Sequence, residues 1–124
     1  MASAGNWFET KRKAVGKRTV NITTSATVGT YTVRTGGTTY NFIEDNVINV
    51  TTTSTYDLAV TVPNGTYAGQ RLIVNYVTEG DNASVTFTIA AGSATDLTAS
   101  TGYTILEWTH ASTGGWVELA ASAT

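Results

Sequence analysis

The side chains best suited to acid–base or nucleophilic chemistry are few in this chain of 124 residues, and they lie toward its C-terminal end. His110 is the only histidine, and Ser112 or Ser100 with Asp96 would complete a serine–histidine–aspartate arrangement. No glycine-flanked nucleophile motif surrounds either serine. We therefore interpret His110 as a hairpin histidine near solvent, and we expect no enzymatic activity.

Two carboxylates of the last predicted hairpin form the second candidate site. If Ala111 pairs with Trp116, Glu118 shares a face with Glu107 and lies diagonal to it, at roughly 7–8 Å between backbone positions. Paired carboxylates beside an aromatic residue resemble a glycosidase site, but such a site needs a deep groove, and the loops here are short. We favour surface or interface acids as the interpretation of this pair.

Metal and cofactor sites are not predicted. The chain has no cysteine, which excludes disulfides, thiolate catalysis and cysteine zinc sites. The acidic turn Glu79–Asn82 lacks the number of ligands of a calcium loop. The glycine pair after Thr35 is followed by neither a helix nor a lysine, so it does not predict a phosphate site.

The rest of the chain has the pattern of β-structure. Beyond residue 19, β-branched or aromatic residues alternate with polar ones between glycine-rich turns. About eight strands, spaced by roughly eight to twelve residues, predict a single antiparallel β-sandwich or jelly-roll-like domain over residues 19–124. Gly36-Gly37 predicts a two-residue hairpin loop that would set Tyr31 opposite Phe42. The predicted core comprises Tyr31, Val33, Tyr40, Phe42, Leu58, Val60, Val85, Phe87, Ile89, Leu106, Trp108 and Leu119.

A subunit interface is predicted from strands that are apolar on both sides. Leu72–Val77 has this character, which is typical of a central strand or of one packed against a second subunit. Trp116 falls with Ile105 on the mixed face of the last hairpin, where a subunit contact is favoured over a sugar platform or a merely exposed ring. We predict a homotrimer. Its interface residues are predicted to be Ile73, Val77, Ile105 and Trp116.

Residues 1–18 predict a basic N-terminal arm, either extended or forming a short helix. They hold five of the seven basic residues and one acid, a charge of +4, whereas residues 19–124 hold two bases and eight acids, a charge of −6. Aromatic residues beside a basic cluster suit an apolar pocket with an acidic rim; the alternative is a tail resting on its own acidic body. The predicted binding residues are Trp7, Phe8, Lys11, Arg12, Lys13, Lys17 and Arg18.

The same charge distribution bears on other partners. A body with a charge of −6 would repel a phosphate backbone, which argues against nucleic acid as the partner. The start of the chain lacks the apolar run of a signal peptide, and no apolar stretch is long enough to span a membrane, so we expect no membrane association.

Two stretches carry a resemblance to a known class of proteins. They are Tyr67-Ala68-Gly69-Gln70-Arg71-Leu72-Ile73-Val74, and Leu106-Glu107-Trp108 continuing through a glycine-rich turn to Gly115-Trp116-Val117-Glu118-Leu119. Together they resemble small β-domains of tailed-bacteriophage virion proteins, and the resemblance covers roughly residues 56–121. The compact size is most similar to that of capsid decoration (cement) proteins, as opposed to head fibres or tail-fibre segments.

The resemblance implies a non-enzymatic protein on the outer capsid surface. Proteins of this class commonly assemble as trimers, bind the major capsid protein and stabilise the shell. Two alternatives stay open: a receptor- or carbohydrate-binding domain of a phage fibre, and a minor jelly-roll capsid subunit whose basic arm contacts the genome.

Overall fold

The computed structural model describes residues 17–36, 44–110, 112 and 114–123. No α-helix occurs within these ranges, and the prediction of an all-β domain is confirmed. The strands are β1 (Lys17–Thr23), β2 (Thr30–Thr32), β3 (Glu44–Thr51), β4 (Leu58–Val62), β5 (Arg71–Thr78), β6 (Val85–Ile89), β7 (Tyr103–Trp108) and β8 (Trp116–Ser122).

From β1 to β7, successive strands alternate between two sheets. One sheet has five strands in the order β1-β3-β5-β7-β8, and the other has three in the order β2-β4-β6. All pairings among β1 to β6 are parallel, and only β7 pairs in antiparallel fashion, with β5 and with β8. The described chain therefore winds through three coils, each with one strand in either sheet, and a hairpin closes the last coil.

The predicted antiparallel arrangement is thus wrong for β1 to β6, and the jelly-roll order is not confirmed. Alternating apolar and polar residues report which face of a strand is buried, and they do so equally for parallel and antiparallel neighbours. Parallel neighbours need a long crossover connection. Here the intervening strand of the other sheet provides it, so short loops coexist with parallel pairing.

The core lies between the two sheets. Ile48, Val50 and Val74 of the large sheet and Val60 and Val62 of the small sheet are fully buried in one cluster. The structure confirms burial of Val33, Leu58, Val60, Val85, Leu106 and Trp108. Of the other predicted core residues, Tyr31, Phe87 and Ile89 are partly buried against the cluster, whereas Tyr40 and Phe42 lie outside the described residues.

The final hairpin pairs differently from the prediction. Trp108 lies opposite Trp116, a shift of three positions from the expected pairing of Ala111 with Trp116. An odd shift exchanges the two faces of a strand. Trp116 is therefore only 2% exposed and Leu119 is 45% exposed, which makes the predicted subunit contact of Trp116 and the predicted burial of Leu119 wrong.

The two buried tryptophans pack together at the end of the core. Their ring centroids lie 5.5 Å apart in a T-shaped arrangement, and Nε1 of Trp116 donates to the Pro63 carbonyl at 2.8 Å. Gly65 follows in the same turn, and a Cβ there would lie 2.2 Å from the ring of Trp108. This glycine is therefore required by close packing.

Two further predictions concern the N-terminal half. Among the described residues β1 starts at Lys17, so Lys17 and Arg18, predicted to belong to the arm, are part of a strand of the large sheet. The Gly36-Gly37 hairpin cannot be followed, because residues 37–43 lie outside the described ranges. Tyr31 lies opposite Val60 of β4.

Candidate assembly surface

The outward face of the five-stranded sheet carries an apolar row across four strands. Val47 lies opposite Ile73, Ile73 opposite Ile105, and Ile105 opposite Ala120. In β5 and β7 the residues on either side of the row member are buried in the core. Val47, Ile73 and Ile105 are half-buried and Ala120 is exposed. We call Val47, Ile73, Ile105 and Ala120 the apolar row.

The structure brings together two of the predicted interface residues and places a third nearby. Ile73 and Ile105 are direct cross-strand partners within the apolar row. Val77 lies four residues further along β5 and is 53% exposed. Trp116, in contrast, is in the core, so the surface suited to a contact is this outward face without the tryptophan.

A ladder of asparagines runs beside the apolar row, two residues further along β3 and β5, and continues onto β1. Asn75 donates from Nδ2 to Oδ1 of Asn49, and Asn49 donates in the same way to Asn21, each at 3.1 Å. The three residues lie directly opposite one another in the register of β1, β3 and β5. We call them the asparagine ladder; it fixes three neighbouring strands in one register and presents uncharged amides to solvent.

On its other side the apolar row is flanked by a cross-strand ion pair. Arg71 lies opposite Glu107, and Nε of Arg71 contacts Oε1 of Glu107 at 3.2 Å. Because the two charges offset each other, this end of the face adds little net charge. The face as a whole offers aliphatic side chains and amides, which suits contact with another protein.

The outward face of the three-stranded sheet has a different chemistry. Thr32, Thr61 and Thr88 lie opposite one another across β2, β4 and β6. Thr30, Ala59 and Thr86 form the neighbouring row. Hydroxyl groups keep this face hydrated, so the two outward faces of the domain are distinguishable by their polarity.

Two acidic side chains at the start of β3 are buried, and the first is held by an internal ion pair. Asp45 accepts hydrogen bonds from Arg18 Nε at 2.5 Å, from the Tyr31 hydroxyl at 2.5 Å and from the Arg34 amide at 2.9 Å. The hydrogen bond to Asp45 raises the pKa of Arg18, while burial and then that carboxylate raise the pKa of Tyr31. Arg18, predicted to bind the shell, thus holds the β-domain together.

Glu44, the second buried acid, anchors the turn before β5. It accepts hydrogen bonds from the Tyr67 hydroxyl at 2.8 Å and from Nε2 of Gln70 at 2.9 Å. Burial, followed by the hydrogen bond to Glu44, raises the pKa of Tyr67 to about 12. Gln70 also donates to the Thr35 carbonyl at 2.9 Å, so one buried amide joins two coils.

Glu118 tethers the loop before β7 to the final hairpin. Thr104 donates to it at 2.7 Å, and Thr95 donates through both its backbone amide, at 2.6 Å, and its hydroxyl, at 2.8 Å. Burial alone would raise the pKa of Glu118, but these hydrogen bonds outweigh it and the pKa is lowered. Because Glu118 lies opposite Leu106, it is on the other side of the sheet from Glu107, and the predicted shared face is wrong.

The remaining candidates for chemistry are held in separate local contacts. The Ser112 hydroxyl lies 2.7 Å from Nδ1 of His110 within one turn. Asp96 instead accepts from the Phe87 amide at 3.3 Å, and Ser100 accepts from the Glu79 amide at 2.7 Å. Over the part of the chain that the structure describes, no three side chains of the metal-binding types lie together.

Two further findings concern the arm and the membrane. The predicted binding residues Trp7, Phe8, Lys11, Arg12 and Lys13 lie outside the described residues. Among those that are described, no helix is both long and apolar enough to cross a membrane.

The asparagine ladder is the feature that the sequence reasoning missed. Its signal is a repeat: Thr19–Thr24 reads TVNITT, Val47–Thr52 reads VINVTT and Ile73–Thr78 reads IVNYVT. The ladder asparagines are 28 and 26 residues apart. Such a period indicates stacked coils, in which equivalent residues of successive coils become neighbours.

Comparison with known proteins does not assign the chain to a family. No protein-family model matches it, and no curated protein or solved structure is significantly similar to it. The inference of function therefore rests on the described residues and on the sequence of the arm.

Proposed function

We propose that this chain is a non-enzymatic structural protein of a virion, a decoration protein on the outer surface of the capsid. The observation that carries the proposal is the outward face of the five-stranded sheet. Its apolar row and asparagine ladder form a surface for protein contact, whereas the acidic and basic side chains around it are used within the domain.

Copies of the chain meet through the apolar row, in a homotrimer. Aliphatic side chains removed from water at a contact contribute roughly 25 cal/mol per Å² of buried apolar surface. The amides of Asn75 and Asn49 donate to the next asparagine within the chain, so these two donors have a partner when the face is covered. Threefold symmetry lets each copy cover part of this face on a neighbour without forming an open polymer.

The basic arm binds the major capsid protein. Arg18 is held by Asp45 and Lys17 lies in β1, so the binding function falls to Trp7, Phe8 and the basic residues from Lys11 to Lys13. The described residues carry eight acids and four bases. That acidic body supports a protein partner for the arm and argues against a nucleic-acid partner.

Co-sedimentation with shells of the virus that encodes the chain tests the proposal. The full-length protein should pellet with shells, and Trp7→Ala should weaken binding by about 2 kcal/mol at any ionic strength, because buried aromatic anchors dominate protein interfaces.

The Ile73→Lys variant should lose trimer formation in light scattering, whereas Thr61→Lys on the other outward face should keep it. Full-length protein that stays in the supernatant contradicts decoration, and equal effects of the two lysine variants contradict the assembly face.

A fibre domain is the second candidate function, favoured by the stacked parallel coils. Coils stack in one direction, which suits an elongated shaft. A receptor-binding fibre tip would present aromatic side chains to its ligand; Tyr56 and Tyr67 are exposed here, while Trp108 and Trp116 are buried. Binding to a glycan array that is abolished by Tyr56→Ala would favour this candidate over decoration.

A further inference from the structure

The two ends of the coil stack differ in whether further strands of the described chain cover them. At the C-terminal end, β7 and β8 cover the side of β5 that would receive another coil. At the N-terminal end, β1 and β2 are the outermost strands of their sheets among the described residues. Stacked-coil proteins usually cover both ends, because an uncovered strand presents unpaired backbone amides and carbonyls.

The side chains of β1 do not oppose the addition of another strand. Thr19, Asn21 and Thr23 point outward, the strand contains no proline, and its one exposed charge, Lys17, lies at its first residue. Proteins that protect an outer strand commonly use proline, charges along the strand or a bulge. Here the single bulge lies near the start of β1, between Arg18 and Thr19, and leaves residues 19–23 in regular register with β3.

The asparagine ladder ends at this strand, with Asn21. Each ladder amide donates to the coil that precedes it, from Asn75 to Asn49 and from Asn49 to Asn21. Asn21 accepts one of these bonds, and no described residue accepts a hydrogen bond from its Nδ2. Continuing the same pattern by one strand would place an acceptor side chain directly opposite Asn21.

We propose that β1 is a binding site for an extended segment of another protein, which joins the large sheet as a parallel strand. The segment carries a side-chain oxygen acceptor, such as that of an asparagine, opposite Asn21, and β-branched residues beside it. Backbone hydrogen bonds to β1 supply affinity and the amide contact sets the register, as in other complexes formed by strand addition. This site does not depend on the proposed virion function.

A synthetic peptide tests the site. The labelled probe has the sequence of Asn46–Thr52, because β3 is the strand that pairs in parallel with β1 in this structure. A matched peptide replaces the asparagine that corresponds to Asn49 with valine, and each peptide is titrated against the full-length chain and its Asn21→Val variant. Loss of the amide contact should weaken binding by about threefold to tenfold.

The four titrations form a double-mutant cycle that separates the amide contact from nonspecific binding of the peptide. The peptide substitution should weaken binding to the unaltered chain but change little for Asn21→Val. Hydrogen exchange should slow in residues 17–23 when the probe binds. The proposal is overturned by absence of saturable binding at millimolar probe, by additive substitutions or by protection elsewhere. Protection of residues 17–23 that grows with protein concentration alone would also overturn it, because a second copy would then occupy the strand.

Discussion

At the scale of single residues, the charged side chains of the β-domain act on the domain itself. Asp45 has a fully buried side chain, and Arg18 is the cation that reaches it. Nothing in a sequence distinguishes an arginine that binds a partner from one that binds a buried carboxylate in the next coil. The sequence therefore predicts a cluster of basic residues, but it does not show which of them belong to the β-domain.

Arg18 and its neighbour Lys17 give a matched test of this assignment. Arg18→Ala should lower the free energy of unfolding by about 1–3 kcal/mol, because Asp45 would remain buried without its cation. Lys17→Ala should change it by less than about 0.5 kcal/mol, because that side chain is exposed. Chemical denaturation of both variants measures the difference. Equal losses would contradict the internal role of Arg18.

Tyr67 predicts how stability depends on alkaline pH. Its pKa in the folded chain is raised from 10.0 to about 12, so the folded state holds the phenol proton more tightly than the unfolded state. This contribution is fully present below pH 10 and is lost as the pH rises toward about 12. Tyr67→Phe should remove that part of the alkaline loss. Unfolding measured across this range would contradict the assignment if both proteins lost stability in parallel.

At the scale of elements, the sequence predicted which segments are strands and mostly which side of each is buried. The alternation over Tyr56–Val62 predicts that Leu58, Val60 and Val62 point inward, and the structure confirms it, because alternation follows directly from the pleat. The strand itself starts at Leu58, and Tyr56, also predicted to point inward, is exposed. The sequence did not predict the direction of the strands, because the same alternation occurs in parallel and in antiparallel pairs. The prediction for β8 assumed a turn that is too short, so it assigned the wrong side chains of β8 to the core. For the same reason it placed Trp116 on the assembly surface, whereas Trp116 is in the core.

Leu58 and Leu119 are both predicted to be buried in the core, and a comparison of the two tests the observed register of β8. Leu58→Ala should destabilise the domain by about 2–5 kcal/mol, because that side chain is fully buried in the core cluster. Leu119→Ala should cost less than about 1 kcal/mol in the isolated chain, because Leu119 is 45% exposed. Denaturant unfolding compares the two variants. A large loss of stability in Leu119→Ala would contradict the observed register and support the predicted one, in which Leu119 packs inward.

At the scale of the whole molecule, the repeat explains the architecture that the strand pattern left open. The ladder positions recur once per coil, so parallel neighbours in the sheet are far apart in the chain. A search for a period of 20–50 residues identifies this arrangement, whereas a search for local hairpins does not. The same stacking brings Val47 of the second coil opposite Ile73 of the third, and the closing hairpin extends this apolar row with Ile105 and Ala120.

The position of the chain in the virus particle tests the proposed function most directly. Cryo-electron microscopy of purified virions should show density of this domain on the outer capsid surface at threefold-related positions. In that density the outward face of the five-stranded sheet should contact neighbouring copies and the N-terminal arm should reach the major capsid protein. Density confined to a tail fibre, density inside the shell, or the absence of the chain from the particle would contradict a role in capsid decoration.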